Sequence, residues 1–354
     1  MKVKKIEISN FRNIEKLILE PCNKVNVIWG ENAQGKTNIL EAIWIFCGAK
    51  SFRGSKDNEL IKKDCDEALI SLIFESEEIE KTASIKIKEK REAVLNNNKL
   101  KTASALAGKF NSIIFSPQDL RIVTDGPSVR RKFIDTAIAQ IYPTYIEILR
   151  NYAKAVTERN QIIKNLKYDS TVSIMLDVFE EEIAKYGEKI IYLRKKYINE
   201  ATSKIKAFYN GISSGKEKIE IFYKASWDKD NLLEALKKSR KEDMNFGFTS
   251  VGPHRDDIEF LINSMQARSY ASQGQKRSIA LSLKLSEAEI ISEKTGEKPV
   301  FLLDDVMSEL DVSRQDYILN HIKEMQTFIT CCDPSNIKNL KAGKVFKIVN
   351  GEIA

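Results

Sequence analysis

Apolar and polar residues alternate at the start of the chain, and this period of two returns in blocks separated by turn signals. It predicts strands at residues 3 to 9 and 16 to 29, with Asn10-Phe11-Arg12-Asn13 as the turn between them. Alternation resumes from Glu67 to Phe74 and from Ser84 to Lys88, and Asn96-Asn97-Asn98 marks a hairpin between Ala93-Val94-Leu95 and Lys99-Leu100. Ser112-Ile113-Ile114-Phe115 is a short apolar strand that runs into Ser116-Pro117-Gln118-Asp119-Leu120. From Gly126 the period becomes helical for about eighty residues. Phe133, Ile134, Ala137, Ile138 and Ile141 form one stripe, and Tyr145, Ile148, Leu149 and Tyr152 another, with Pro143 as the break. Later segments predict a strand at residues 217 to 223, a helix from Asp230 to Ser239, a strand from Ile258 to Ile262 and a helix from Arg277 to Ile291. The expected organisation is a head formed by residues 1–120 and 210–354, interrupted by a helical lobe at 121–209.

Composition narrows the class. A chain of 354 residues with 42% hydrophobic and 30% charged residues is globular and long enough for two lobes. No apolar run approaches the roughly 20 residues a membrane-spanning helix needs, and Met1 to Glu7 alternates like a strand rather than a signal peptide. No membrane association and a cytoplasmic location are expected. The five cysteines show no C-x-x-C spacing, which argues against a disulfide framework or zinc site, and two histidines leave little room for zinc-hydrolase chemistry. The formal net charge is +7. Between Arg121 and Lys167 nine cations face four anions, so the helical lobe is a candidate surface for a phosphate backbone, with Arg130, Arg131 and Lys132 as candidate DNA-binding residues.

The most specific chemistry lies in Gly30-Glu31-Asn32-Ala33-Gln34-Gly35-Lys36-Thr37, directly after the apolar run Val25 to Trp29. The spacing G-x-x-x-x-G-K-[ST] lets the backbone turn tightly and aim N–H groups at phosphates, with Lys36 reaching the outer phosphates and the Thr37 hydroxyl ligating Mg²⁺. Asn38 and the apolar positions after it continue as a helix whose positive end faces the loop. A nucleoside triphosphate with Mg²⁺ is the expected cofactor pair. Arg12 could reach a phosphate, and Gln118 could touch the metal or the attacking water.

Ser272-Gln273-Gly274-Gln275 opens a helix and offers a second N-terminus to an anion. Val300-Phe301-Leu302-Leu303-Asp304-Asp305 is a buried strand ending in two carboxylates. Asp304 is suited to the Mg²⁺ shell and Asp305 to polarising a water. The loop Gly247 to Asp257 concentrates glycine, proline and charge, which suggests either a site or a tight turn.

The order of phosphate loop, Ser-Gln-Gly-Gln and Asp-Asp strand resembles the ABC-type ATPases, specifically the SMC-like branch that handles DNA and, within it, the RecF-like recombination mediators. The match extends through Asn10 to Asn13, Gly30 to Glu41, Ser116 to Leu120, Gly126 to Arg131, Gly252 to Asp256, Ser272 to Gln275 and Leu303 to Asp311, covering the chain end to end. It implies an α/β fold: a P-loop ATPase head with mixed and antiparallel sheets plus an inserted, mainly helical lobe. It further implies two heads sandwiching two ATP molecules, each held by the phosphate loop of one copy and Ser272 to Gln275 of the other. The implied partners are single-stranded, gapped and double-stranded DNA, with RecR and RecO as protein partners. The implied role is RecA loading in repair, replication and SOS induction. The chain departs from the ABC pattern at Asp305, where a glutamate is usual and the shorter side chain predicts slow hydrolysis, and at the strand end Phe328 to Asp333, where the expected histidine is missing and Thr330 or Cys331 is a weak substitute. A transporter ATPase subunit and a small-molecule P-loop kinase are the rival readings. The transporter would need a membrane partner, and the kinase has no use for the Ser272 to Gln275 motif.

Overall fold

The computed structural model describes residues 1–165, 173–227, 231–333 and 343–354. Lys167 of the basic segment and Asp230, the expected first residue of a helix, lie outside the described residues. The chain divides into two units, residues 1–120, 207–216 and 277–354 against residues 121–206 and 217–276. The break after residue 120 falls where the period of the sequence changes. Residues 217–276, expected in the head, cluster with the helical lobe, because their strands pair with one another and pack on a lobe helix.

In the first unit the N-terminal elements are β1 (Lys2–Phe11), β2 (Ile14–Leu19), β3 (Val25–Trp29), α1 (Lys36–Trp44), β4 (Ala68–Ser76), β5 (Ile79–Ile87), β6 (Arg91–Leu95), β7 (Asn98–Lys99) and β8 (Ser112–Phe115). The single strand expected over 16 to 29 is two. Pro21 has no amide hydrogen to continue the ladder, and the Asn26 side chain bonds the Cys22 N–H and carbonyl in the turn, so β2 and β3 enter different sheets.

The second unit holds α2 (Arg121–Thr124), α3 (Pro127–Ile141), α4 (Tyr145–Asn165), most of α5 (Ser173–Ser213), β9 (Ile219–Lys224), α6 (Leu232–Phe246), β10 (Asp257–Ile262), β11 (Met265–Gln266) and α7 (Ala267–Tyr270). Pro127 at the first turn supplies the fixed φ that starts α3 without sacrificing an intrahelical bond. The remaining elements are α8 (Gln273–Thr295), β12 (Val300–Asp304), α9 (Val312–Ile322), β13 (Thr327–Cys331), β14 (Gly343–Val349) and β15 (Glu352–Ile353).

Two six-stranded sheets build the first unit. One is antiparallel, in the order β2-β1-β4-β5-β6-β7; the other is ordered β15-β14-β3-β13-β12-β8, parallel except at β15. Alternate side chains of the antiparallel sheet, such as Ile6, Ile8, Ile70 and Leu72, join Ile39, Leu40 and Ile43 of α1 and Leu302 and Phe328 in one buried apolar cluster. The second unit has a three-stranded antiparallel sheet, β11-β10-β9, with α3 packed on β10.

The dense loop after α6 is explained within that second unit. A Cβ on Gly252, whose φ is 127°, would stand 2.4 Å from the Tyr152 hydroxyl. Tyr152 OH and His254 Nδ1 are 2.6 Å apart, and His254 Nε2 faces the Thr249 carbonyl at 3.1 Å. Because that carbonyl only accepts, Nε2 carries the hydrogen and Nδ1 accepts from the tyrosine. Burial lowers the His254 pKa to about 4. The unfolded chain takes up this proton near its ordinary value of about 6.5, so the contribution is complete above that pH and is lost as pH falls toward 4. It amounts to about 3 kcal/mol. Urea unfolding followed between pH 7 and pH 4 should show this loss in the wild type and a flatter profile in His254→Gln. Identical slopes would refute the assignment.

Candidate nucleotide site

Parallel pairing sets the site. β3 lies between β13 and β14, and β13 separates it from β12, so the carboxyl ends of three strands open side by side, the usual place for a ligand in an open α/β sheet. The register brings Ile28 opposite Thr330 and Thr330 opposite Asp304. A threonine on the middle strand therefore stands between the phosphate loop and the carboxylate strand.

The loop from Gly30 to Gly35 turns into α1 with Gly35 as N-cap at φ 107°. A Cβ on Gly35 would sit 2.9 Å from Asn13 Oδ1, and one on Gly30 would meet the Ile348 carbonyl at 2.4 Å. Gly30 is thus required by its close approach to backbone, and Gly35 by its left-handed φ, since the Asn13 side chain could shift. Lys36 is 4% exposed; its ammonium donates to the carbonyls of Gly30 at 2.7 Å and Glu31 at 2.9 Å, with Cys332 Sγ at 3.7 Å. The Cys332 thiol donates to Asn32 Oδ1 at 3.1 Å. Gln34 is tied to the turn after β14, accepting from the Asn350 N–H at its side chain and from Gly351 N–H at its carbonyl.

Thr37 Oγ1 donates to Asp304 Oδ1 at 2.8 Å, and Thr330 Oγ1 donates to the same oxygen at 2.9 Å. Burial raises the Asp304 pKa, and these two hydroxyls oppose that shift. Asp305 lines the cavity, and its N–H donates to Thr330 Oγ1 at 2.9 Å. Arg12, Ala33 and Asp305 all have positive φ, of 57°, 65° and 52°. Three non-glycine residues in the left-handed region around one cavity is strain of the kind that collects at functional sites.

Arg12 is anchored rather than free. Its guanidinium bonds both oxygens of the buried Glu41 at 3.0 and 3.1 Å, Ser55 Oγ at 2.7 Å and the Glu59 carbonyl at 3.0 Å. Arg53 donates to Asn38 Oδ1 at 2.9 Å, and Asn38 donates to Asn13 Oδ1 at 2.7 Å. Together with Asn32 to Asn38 and Asp305, these residues line an open cavity of about 510 Å³. Asn13, Arg53 and Glu41 had no role assigned from sequence. Arg53 stands beside a glycine in a polar loop, the one signal that could have marked it. Gln118 is exposed and is not among the residues lining this cavity. Its neighbour Asp119 accepts the Ser116 N–H at 2.7 Å and pairs with the buried Lys284 of α8 at 3.2 Å.

Ser272 to Gln275 belongs partly to the start of α8. Ser272 N–H donates to Gln275 Oε1 at 2.6 Å and Gln275 N–H to Ser272 Oγ at 3.2 Å, a reciprocal capping box that leaves Ser272 and Gln273 exposed. Gly274 and Gln275 are half-buried. Two residues after Gln275, Arg277 bonds the carbonyl and carboxylate of Glu309 at 3.1 and 3.0 Å.

The DNA-binding expectation needs correcting at Arg130. Arg130 is 4% exposed, forks onto Asp257 at 2.7 and 3.0 Å and donates to the Ile122 and Asp125 carbonyls, so its donors are spent inside the second unit. Arg131 is half-buried and donates to the Asp256 carbonyl at 2.7 Å. Lys132 is exposed. A charge count along a helix cannot distinguish a cation facing water from one holding the next strand.

Among the described residues no three His, Cys, Asp or Glu side chains gather as a metal cluster. The hard oxygen donors Thr37 and Asp304 suit a Mg²⁺ that draws its other ligands from phosphates and water. Nor is any helix among the described residues long and apolar enough to cross a membrane.

Residues 2–352 match the RecF/RecN/SMC N terminal domain family. The chain is 44% identical to the DNA replication and repair protein RecF of Clostridium acetobutylicum and 41% identical to that of Clostridium perfringens, in each case over 100% of this chain and 99% of the relative. A solved structure of the recombination mediator protein RecF with ATP in the RecFOR pathway superposes with a TM-score of 0.93 at 41% identity, covering 100% of this chain and 97% of that one. An Smc head domain from Pyrococcus furiosus, 16% identical with a TM-score of 0.57 over 99% and 95% of the two chains, shares the fold alone. The chain has the SMC-like ABC ATPase head fold, and it belongs to the RecF/RecN/SMC N-terminal domain family, among the RecF proteins of DNA replication and repair.

Proposed function

We propose that this chain is an ATP-dependent DNA-binding protein of recombinational repair, which closes as a homodimer on single-stranded, gapped or double-stranded DNA and releases it on slow ATP hydrolysis. In this reading it acts with RecR and RecO to load RecA, and serves replication and SOS induction in the cytoplasm. The observation that carries the reading is the Thr37–Asp304 hydrogen bond of 2.8 Å, which joins the phosphate-loop hydroxyl to the buried carboxylate strand. Lys36, the loop amides and Arg53 would hold the phosphates, and Thr37 and Asp304 a Mg²⁺, which when bound would neutralise phosphate charge. Asp305 would orient the attacking water, and Gln118 would join this shell on closure. Arg12 would act through Glu41, in the second turn of α1, and Lys132 would meet the DNA backbone.

Ser272 and Gln273 stand exposed on a helix N-terminus, as residues completing the site of a second copy would. The test is Ser272→Arg. ATP binding by the monomer should stay within about twofold of wild type, since a surface substitution distant in sequence from the loop leaves it intact, while sedimentation should show no ATP-dependent dimer. Normal dimerisation by this variant would remove Ser272 from the shared site.

A further inference from the structure

We infer that Phe246, Phe248 and Arg255 form a stacking platform for an unpaired nucleobase, on the second unit and separate from the nucleotide cavity. The inference rests on the DNA-binding reading above and names the form of DNA this surface takes. α6 ends at Phe246, and Gly247 at φ 77° makes its C-cap, with its N–H donating to the Asp243 carbonyl at 2.7 Å. That left-handed turn brings Phe248 back beside Phe246, with ring centroids 5.6 Å apart and planes 15° from parallel. The Arg255 guanidinium lies 4.5 Å from the Phe248 ring centre. Two of its three nitrogens, Nε and Nη2, donate to the Thr249 carbonyl at 3.2 and 3.1 Å, which fixes the plane of the group. Thr249 is itself wholly buried and held by Asn160 at 2.7 Å and Arg159 at 2.9 Å.

The rings are nevertheless exposed, Phe246 at 55% and Phe248 at 39%. Two parallel aromatic faces with an immobilised guanidinium, backed by a rigid turn and open to water, match what base stacking requires: a π-surface whose ordering has already been accomplished. Charge favours nucleic acid over an apolar protein partner. The second unit carries 26 Lys and Arg against 21 Asp and Glu, five of the chain's seven net positive charges. The Gly252 to Asp256 loop that supplies Arg255 is held from outside by Arg131 on the Asp256 carbonyl, Arg194 on the Pro253 carbonyl and Tyr152 on His254, which fixes its position.

The test uses the full chain, wild type and Phe246→Ala/Phe248→Ala, titrated by fluorescence anisotropy against a single-stranded oligonucleotide, an abasic strand of equal length and a blunt duplex. The variant should bind the single strand about fivefold or more weakly. Its affinities for the abasic strand and the duplex should stay within roughly twofold, and its salt slope should not change, because no cation has been removed. Phe246→Trp should keep the wild-type affinity, with the added tryptophan quenched when the single strand binds. Unchanged single-strand affinity in the double variant, or an equal loss on the abasic strand, would overturn the platform. A wild-type chain that binds none of the three DNAs would overturn the DNA-binding reading and this inference with it. Wild-type binding with an indistinguishable variant would overturn the platform alone.

Discussion

Lys36→Ala is expected to lower the affinity for ATP by about 100-fold or more, which corresponds to truncating one member of a desolvated charge pair at a cost of roughly 2–5 kcal/mol. The ammonium is almost fully buried at the first residue of α1, bridged between two carbonyls of its own loop. It is therefore prepositioned where phosphate oxygens would meet the positive end of the helix. Folding should change less than binding, since Glu31 is exposed and water can replace the lysine at its carbonyl. Isothermal titration with ATP measures the first effect and thermal unfolding without nucleotide the second. Affinity within about threefold of wild type, less than the loss of a single charge-assisted hydrogen bond, would take Lys36 out of the phosphate site.

Arg159→Met is expected to destabilise the second unit by about 3–5 kcal/mol, the usual cost of stranding a buried charge. Arg159, Glu180 and Asp243 are each 0% exposed. The guanidinium holds Glu180 at 2.9 and 3.1 Å, Asp243 at 2.7 Å and Thr249 at 2.9 Å, so one side chain joins α4, α5, α6 and the loop after α6. Glu180 keeps a second partner in Arg240, and Asp243 keeps Ser239 Oγ and the Ser250 N–H, which limits the damage without neutralising Asp243. Urea unfolding followed by Trp227 in a Trp29→Phe, Trp44→Phe background reports this unit, because the other two tryptophans belong to the first. Replacing Arg159, Glu180 and Asp243 together by apolar residues should recover part of the loss. A single-variant loss below about 1 kcal/mol would mean that the triad is not a significant source of stability.

Much of the nucleotide site was legible because its parts are contiguous. The Gly30 to Thr37 spacing, the apolar strand before it and the helical stripe after it all lie within about twenty residues, where local backbone chemistry is sufficient. The Val300 to Asp305 run was legible for the same reason, and the box at Ser272 and Gln275 follows from residues three apart. The Arg12–Glu41 clamp was not legible: its partners are 29 residues apart, and either one alone is an ordinary surface charge. Thr330 was visible only as a weak substitute for a missing histidine. Pairing β13 between β3 and β12 gives it its place, bridging Asp304 and the Asp305 amide.

The sequence by itself determined the phosphate loop, the carboxylate strand, the change from strand to helix near residue 126 and the alternation that builds the antiparallel sheet, since each is written in the local period and spacing of side chains. Tertiary structure decided the order of strands and the assignment of residues 217–276 to the second unit. It also decided which cations are available to a ligand. Arg130 and Arg159 read as members of a basic helical surface, yet both are buried in ion pairs with carboxylates 127 and 84 residues away. The physical reason is that a charge is stable either in water or beside a compensating charge, and only the folded chain specifies which of the two each arginine has.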